Sequence, residues 1–157
     1  MVEQDRTVVR SLLVRATCVW GVVLGAALVI RYLFDTLMPP ADYTMRAATL
    51  SYIIIGACTT SGFSTAWRTH SIVGGVVTSL GAAAVGSFIS IVGSAVMLAI
   101  WHDLTTLDAW RSGGGLQEAF VDVPLKVMAI GAVLGLAGAV IGKGISTGLP
   151  RLENGVK

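Results

Sequence analysis

At 157 residues the chain is one domain, and its 54% apolar and 13% charged residues exclude the charged coat of a soluble domain, which takes about 25%. A formal net charge of +2, without a basic run interleaved with aromatics, excludes nucleic acid as a partner. The two cysteines, Cys18 and Cys58, lie inside apolar stretches and have neither metal-site spacing nor the framework of a disulfide-rich secreted protein.

Four stretches are long and apolar enough to be read as membrane spans, since a hydrocarbon core of about 30 Å takes about 20 helical residues. The first covers roughly residues 12–37, with Arg15 and Arg31 snorkelling to the two interfaces. It follows Arg6, Arg10 and Arg15 as a signal peptide would. It ends in Leu28-Val29-Ile30-Arg31-Tyr32 without a small-x-small cleavage site, so an uncleaved anchor is expected. The second, about 47–67, is bracketed by Arg46 and Arg68. A connection of a few residues around Thr69 and His70 then makes a tight antiparallel hairpin with the third, about 71–101, which is uncharged throughout. At roughly 45 Å that helix must tilt or protrude. The connection from Trp101 to Lys126 is the only long one. Leu104, Leu107 and Trp110 share one helical face and Leu116 and Phe120 another, so two short interfacial helices are expected around Ser112-Gly113-Gly114-Gly115. Asp122 and Pro124 then start the last span, about 124–144. All four prolines fall outside the span interiors, which predicts unkinked helices.

The expected architecture is thus an all-α integral membrane protein, an antiparallel four-helix transmembrane bundle in a single domain over residues 1–157. Lys and Arg are more numerous on the side of the N-terminus (Arg6, Arg10, Arg15, Arg68, Lys143, Arg151, Lys157) than opposite (Arg31, Arg46, Arg111, Lys126), which predicts an N-in, C-in orientation. A bacterial cytoplasmic membrane is the expected setting.

Small residues carry the most specific pattern. In the fourth span Gly131, Gly135, Gly138 and Gly142 fall within an arc of about 60°, and in the third Gly75, Ser79, Ala82, Gly86, Ser90 and Gly93 within about 80°. Gly21 and Gly25 form one further pair in the first span. Apolar side chains gain little by leaving lipid for one another, so helices associate where small residues let backbones approach. The stripes are therefore expected to hold the third helix against the fourth within one chain, or to face another subunit. Gly131 to Gly144 resembles the rotor proteolipids of rotary ATPases in composition. Those proteins depend on a carboxylate midway through a helix, where this chain has Val133-Leu134-Gly135-Leu136, so the resemblance carries no function.

Groups for chemistry are scarce. No Asp, Glu, Lys or Arg occurs in 47–67, 71–101 or 127–142, which counts against proton relays, ion-coupled carriers and voltage sensors. Thr59, Thr60, Ser61 and Ser64 are candidates to line a polar pathway, beside the simpler reading in which they bond carbonyls of their own helix. Cys18 and Cys58 should sit at different depths, so no disulfide is expected. His70 and His102 flank the third span and cannot share one metal within a copy. His102, beside Trp101, is a candidate axial ligand for a tetrapyrrole, or an interfacial histidine anchoring a helix end. No nucleophile–base–acid set or phosphate loop is evident, and Gly113 to Gly115 lacks the Lys that would follow in one. These features favour a non-catalytic small membrane subunit without a metal or required cofactor, whose partners are the bilayer and other membrane subunits or copies of itself. The alternatives are a small transporter or channel for a neutral solute, and a lipid- or pigment-binding membrane protein.

Overall fold

A computed structural model describes residues 2–38, 44–101 and 117–148, with side chains from residue 10 onward. These residues are helical throughout apart from short connections. The long helices are α1 (Val2–Leu37), α2 (Thr44–Thr69), α3 (Ile72–Ile100) and α4 (Val123–Gly148), with a π-helical turn (Glu118–Asp122) leading into the last. Three helical stretches are long and apolar enough to cross a membrane: Arg10–Leu37, Ile72–Ile100 and Glu118–Gly148. The 26 residues of α2 have the length. Its hydroxyls, among them Thr49, Ser51, Thr59, Thr60, Ser61, Ser64 and Thr65, make it less apolar than these three stretches.

α1 reaches further back than the apolar stretch alone implies, because nothing between Val2 and Leu12 breaks a helix. α2 ends where His70 takes a left-handed conformation, with φ of 53°, and its ring Nδ1 lies 3.1 Å from the Ser146 hydroxyl near the end of α4. Ser71 then caps α3, its hydroxyl accepting from the Gly74 N–H at 3.1 Å.

The start of α4 differs from the sequence expectation. Pro124 is not at a helix start; it follows directly on the π turn in one continuous helical stretch. Proline has no N–H to donate and its ring collides with the carbonyl four residues back. The wider turn, in which the Val123 N–H donates to the Glu118 carbonyl, accommodates both defects without ending the helix. The interfacial helices expected at Leu104, Leu107, Trp110 and Leu116 lie outside the described residues, and Phe120 belongs to the π turn.

α2, α3 and α4 pack mutually, while α1 lies chiefly along α3. The pairs that meet rise together in α1 and α3 (Thr17 with Gly81, Gly21 with Val85, Gly25 with Ile89, Val29 with Gly93), so these two helices run parallel. In α3 and α4 they run oppositely (Gly75 with Ala139, Ser79 with Gly135, Ala83 with Gly131), so these are antiparallel. Among the three mutually packed helices the backbones come close enough to leave no room for a methyl group. One added at Gly75 would lie 2.6 Å from the Gly62 carbonyl oxygen and 2.7 Å from the Ala139 Cβ, and one at Gly62 would strike the Gly135 backbone. Ser79 sits fully buried at this junction, its hydroxyl 2.9 Å from the Gly131 carbonyl oxygen and 3.1 Å from that of Cys58. One O–H thus spans α2, α3 and α4.

Replacing Gly135 with Leu is expected to destabilise the fold by about 1–3 kcal/mol, the usual cost of overpacking. Ser79→Ala should cost about 0.6–1.7 kcal/mol, the range for polar contacts between membrane helices. Gly144→Leu, at a position with nothing within 4 Å, should stay within about 0.5 kcal/mol of the parent. Thermal unfolding of detergent-solubilised protein checks all three, and equal effects at Gly135 and Gly144 would refute the packing assignment.

Candidate functional site

The small residues singled out in the sequence are dispersed over four interfaces. Gly131 and Gly135 face α3, at Ala83 and Ser79, whereas Gly138 and Gly142 lie on the α2 backbone at Thr59 and Phe63. On α3, Gly75 and Ser79 turn to α2 and α4, while Gly86 meets Leu24 of α1 and Gly93 meets Val29. Ala82 offers its carbonyl side to Gly21, and Gly21 and Gly25 lie against Val85 and Ile89. Ser90 is fully buried. A straight stripe thus changes partner along its length, because helices that cross at an angle stay in contact only over a few turns. Gly62, Ala66 and Ala83 complete these contacts, and Gly62 and Ala66 were not singled out in the sequence. Cys58, Gly62 and Ala66, four apart, form a small-residue row on α2 that would have marked them.

The hydroxyls considered for a polar pathway do not share a face. Ser61 donates to the Cys58 carbonyl at 2.9 Å and Ser64 to the Ser61 carbonyl at 3.3 Å. Thr60 is exposed on the outside of α2, and Thr59 is half-buried with its carbonyl against Gly138. His102 lies outside the described residues. Among the described residues Cys58 is buried and Cys18 exposed, both as free thiols, and no group of His, Cys, Asp and Glu could hold a metal ion.

The charged side chains do converge, at one end of the helices. Asp35, a turn after Arg31 on α1, accepts from Arg31 Nε at 3.3 Å and from Arg46 Nη1 of α2 at 2.9 Å. Arg31 Nη2 reaches Glu118 Oε1 of the π turn at 3.3 Å. Two guanidiniums and two carboxylates thereby tie α1, α2 and the start of α4 together. Beneath them Tyr32, Met97 and Ala119 form a small apolar cluster with Leu33, Trp101 and Phe120, and the Arg31 guanidinium lies 5.6 Å from the Tyr32 ring centroid.

Arg31 and Arg46 also face outward into a groove of about 470 Å³ between the end of α1 and the start of α2. Its remaining walls are almost wholly apolar, with Ala27, Ile30 and Phe34 on one side and Leu50 and Ile53 on the other. Asp35 and Glu118 do not line it, so among the described residues the surface presented there is apolar with two cationic groups. At the opposite end of the helices Arg68 joins Ser64, Thr65 and Thr69 of α2 around a cleft of about 30 Å³ against α1, room for little more than a water molecule. A guanidinium paired with a carboxylate is neither nucleophile nor base. The ion-pair end holds α1, α2 and the start of α4 together.

No protein-family model, curated protein or solved structure matches the chain.

Asp35 accepts from both arginines and is only 17% exposed, so Asp35→Asn is expected to lower stability by about 1–3 kcal/mol, below the 3–5 of a fully buried pair. Glu118, 46% exposed, makes one long contact, and Glu118→Gln should cost less than about 1 kcal/mol. Chemical or thermal unfolding of the two variants side by side gives the order, and a larger effect at Glu118 would be incompatible with Asp35 as the hub.

Proposed function

We propose that the chain is a non-catalytic integral membrane subunit, folded as a four-helix transmembrane bundle with both termini inside, that works within a larger membrane assembly or as a homo-oligomer. The observation that carries this reading is the outward face of α2. Met45, Thr49, Tyr52, Gly56, Thr60 and Trp67 follow one another there at helical spacing and are exposed, and nothing lies within 4 Å of the position a methyl group would take on Gly56. α2 is less apolar than the three candidate spans, yet it presents this face outward, where lipid would otherwise cover it. A notch of small and hydroxyl residues between aromatic ends is the surface on which a second membrane helix approaches closely.

The stripes on α3 and α4 are occupied within the chain, which leaves the α2 face as the place for a partner helix. α2 counts as the fourth span because it runs parallel to α4, as its contacts from Thr59–Gly138 to Phe63–Gly142 indicate, and between two candidate spans. The excess of Lys and Arg beside the N-terminus supports the N-in, C-in orientation, and a bacterial cytoplasmic membrane remains the proposed setting. Transport is the weaker reading, since Ser61 and Ser64 spend their hydroxyls on their own helix.

Native mass measurement after mild solubilisation tests the proposal. The parent is expected to run as a defined oligomer or heteromeric complex, and Gly56→Leu should release the monomer while leaving its unfolding temperature within about 2 °C, since no intrachain contact is lost. A parent that is monomeric throughout would sink the assembly reading. Labelling of single cysteines placed in the two tails from outside intact cells would contradict the orientation.

A further inference from the structure

We propose that the groove between the end of α1 and the start of α2 binds an anionic phospholipid, with its phosphate at Arg31 and Arg46 and an acyl chain along the apolar walls. The inference rests on the distribution of charge in the groove; the groove shares Met45 and Thr49 with the start of the α2 face assigned to a partner helix, and is independent of the approach at Gly56.

α1 meets α2 only sparsely, because α1 packs along α3, and the gap between them is the groove of about 470 Å³. Ile30, Phe34, Leu50 and Ile53 offer water nothing to bond, and Thr49 spends its hydroxyl on the Met45 carbonyl of its own helix at 2.9 Å. From Arg46 to Ile53 the wall runs about 10 Å along the helix, enough for the upper part of an acyl chain. Both arginines lie toward the connected ends of the two helices, with only Phe34 and Met38 on α1 and Met45 on α2 lining the groove beyond them among the described residues, and an uncharged run of α1 stops there at Arg31. That is the depth of phosphates in a bilayer whose hydrocarbon the apolar helices span.

The carboxylates determine what the arginines can receive. Asp35 and Glu118 hold the two guanidiniums from outside the groove, and their bonds take only part of the five N–H donors that each fork carries. The arginines are therefore fixed in place with donors to spare. Two fixed guanidiniums above an apolar channel complement a monoanionic phosphodiester attached to hydrocarbon, and guanidinium is the side chain best matched to phosphate geometry. A zwitterionic lipid brings an ammonium group to the same place, which the arginines repel.

The full chain, exchanged into nanodiscs of phosphatidylcholine with or without phosphatidylglycerol, tests the proposal by native mass spectrometry of retained lipid and by thermal unfolding. Phosphatidylglycerol is expected to be retained over phosphatidylcholine by at least about five-fold, the preference that one guanidinium near a lipid surface confers. Arg46→Gln, which leaves Arg31 in place, should lower that preference by about five-fold, to the level one guanidinium confers. Ile53→Trp, which fills the groove and leaves the ion pairs alone, should lower phosphatidylglycerol retention without changing the unfolding temperature in phosphatidylcholine, and it carries the test if Arg46→Gln fails to fold. Inorganic phosphate at millimolar concentration should not displace the lipid. Equal retention of both lipids by the parent, unchanged retention in Ile53→Trp, or displacement by phosphate would each overturn the assignment.

Discussion

Ser79 stands where the backbones of α2, α3 and α4 come nearest one another, and the rest of the arrangement depends on that approach. In hydrocarbon no water competes for its hydroxyl, and Leu against Leu is worth little more than Leu against lipid. What separates this packing from any other is therefore how close the backbones can come and whether every polar atom brought inside finds a partner. Gly62, Gly75, Gly131 and Gly135 satisfy the first condition around Ser79, and the carbonyls of Cys58 and Gly131 satisfy the second for its hydroxyl, while the buried hydroxyls of Thr65, Ser87 and Ser94 have no such partner among the described residues. A larger residue at position 79 would hold the helices apart; a smaller one would leave a hole without a donor.

α1 stands outside this junction. It joins through Gly21 and Gly25 along α3, on the side α4 does not occupy, and through the ion pairs at its far end. Close contact in mid-helix and charge at the end are different kinds of attachment. The first is short-ranged and indifferent to salt, while the second lies where water screens it. The charged attachment holds α1 and α2 together at their connected ends, and the same arginines that close the end of the structure line the groove next to it.

Much of this was legible in the chain. The length and apolarity of the stretches beginning near Leu12, Ser71 and Pro124 were enough to mark three helices able to cross a membrane, because burial in lipid imposes a composition that needs no tertiary information. The spacing of Gly131, Gly135, Gly138 and Gly142 marked one face of a helix, yet not which neighbours would lie on it. Partner choice depends on crossing angles, which spacing within one helix does not encode. The pair Arg31 and Asp35, one turn apart, could be read as a helical ion pair. Arg46 and Glu118 joined it only through the fold, since they come from other helices. The groove was invisible for the same reason: it is a space between elements, and no single element carries its signature.

The π turn before Pro124 bears on how these parts coexist. An extra residue in one turn swings everything upstream of it by about 100° relative to the helix downstream. Glu118 and Ala119 are therefore phased separately from the glycines of α4. One end of the helix can be aimed at Arg31 and the Tyr32 cluster while the other keeps Gly131 to Gly142 on α3 and α2. The turn acts as a coupling with a fixed angular offset, letting one continuous helix serve two environments that a regular helix would have to address with a single face.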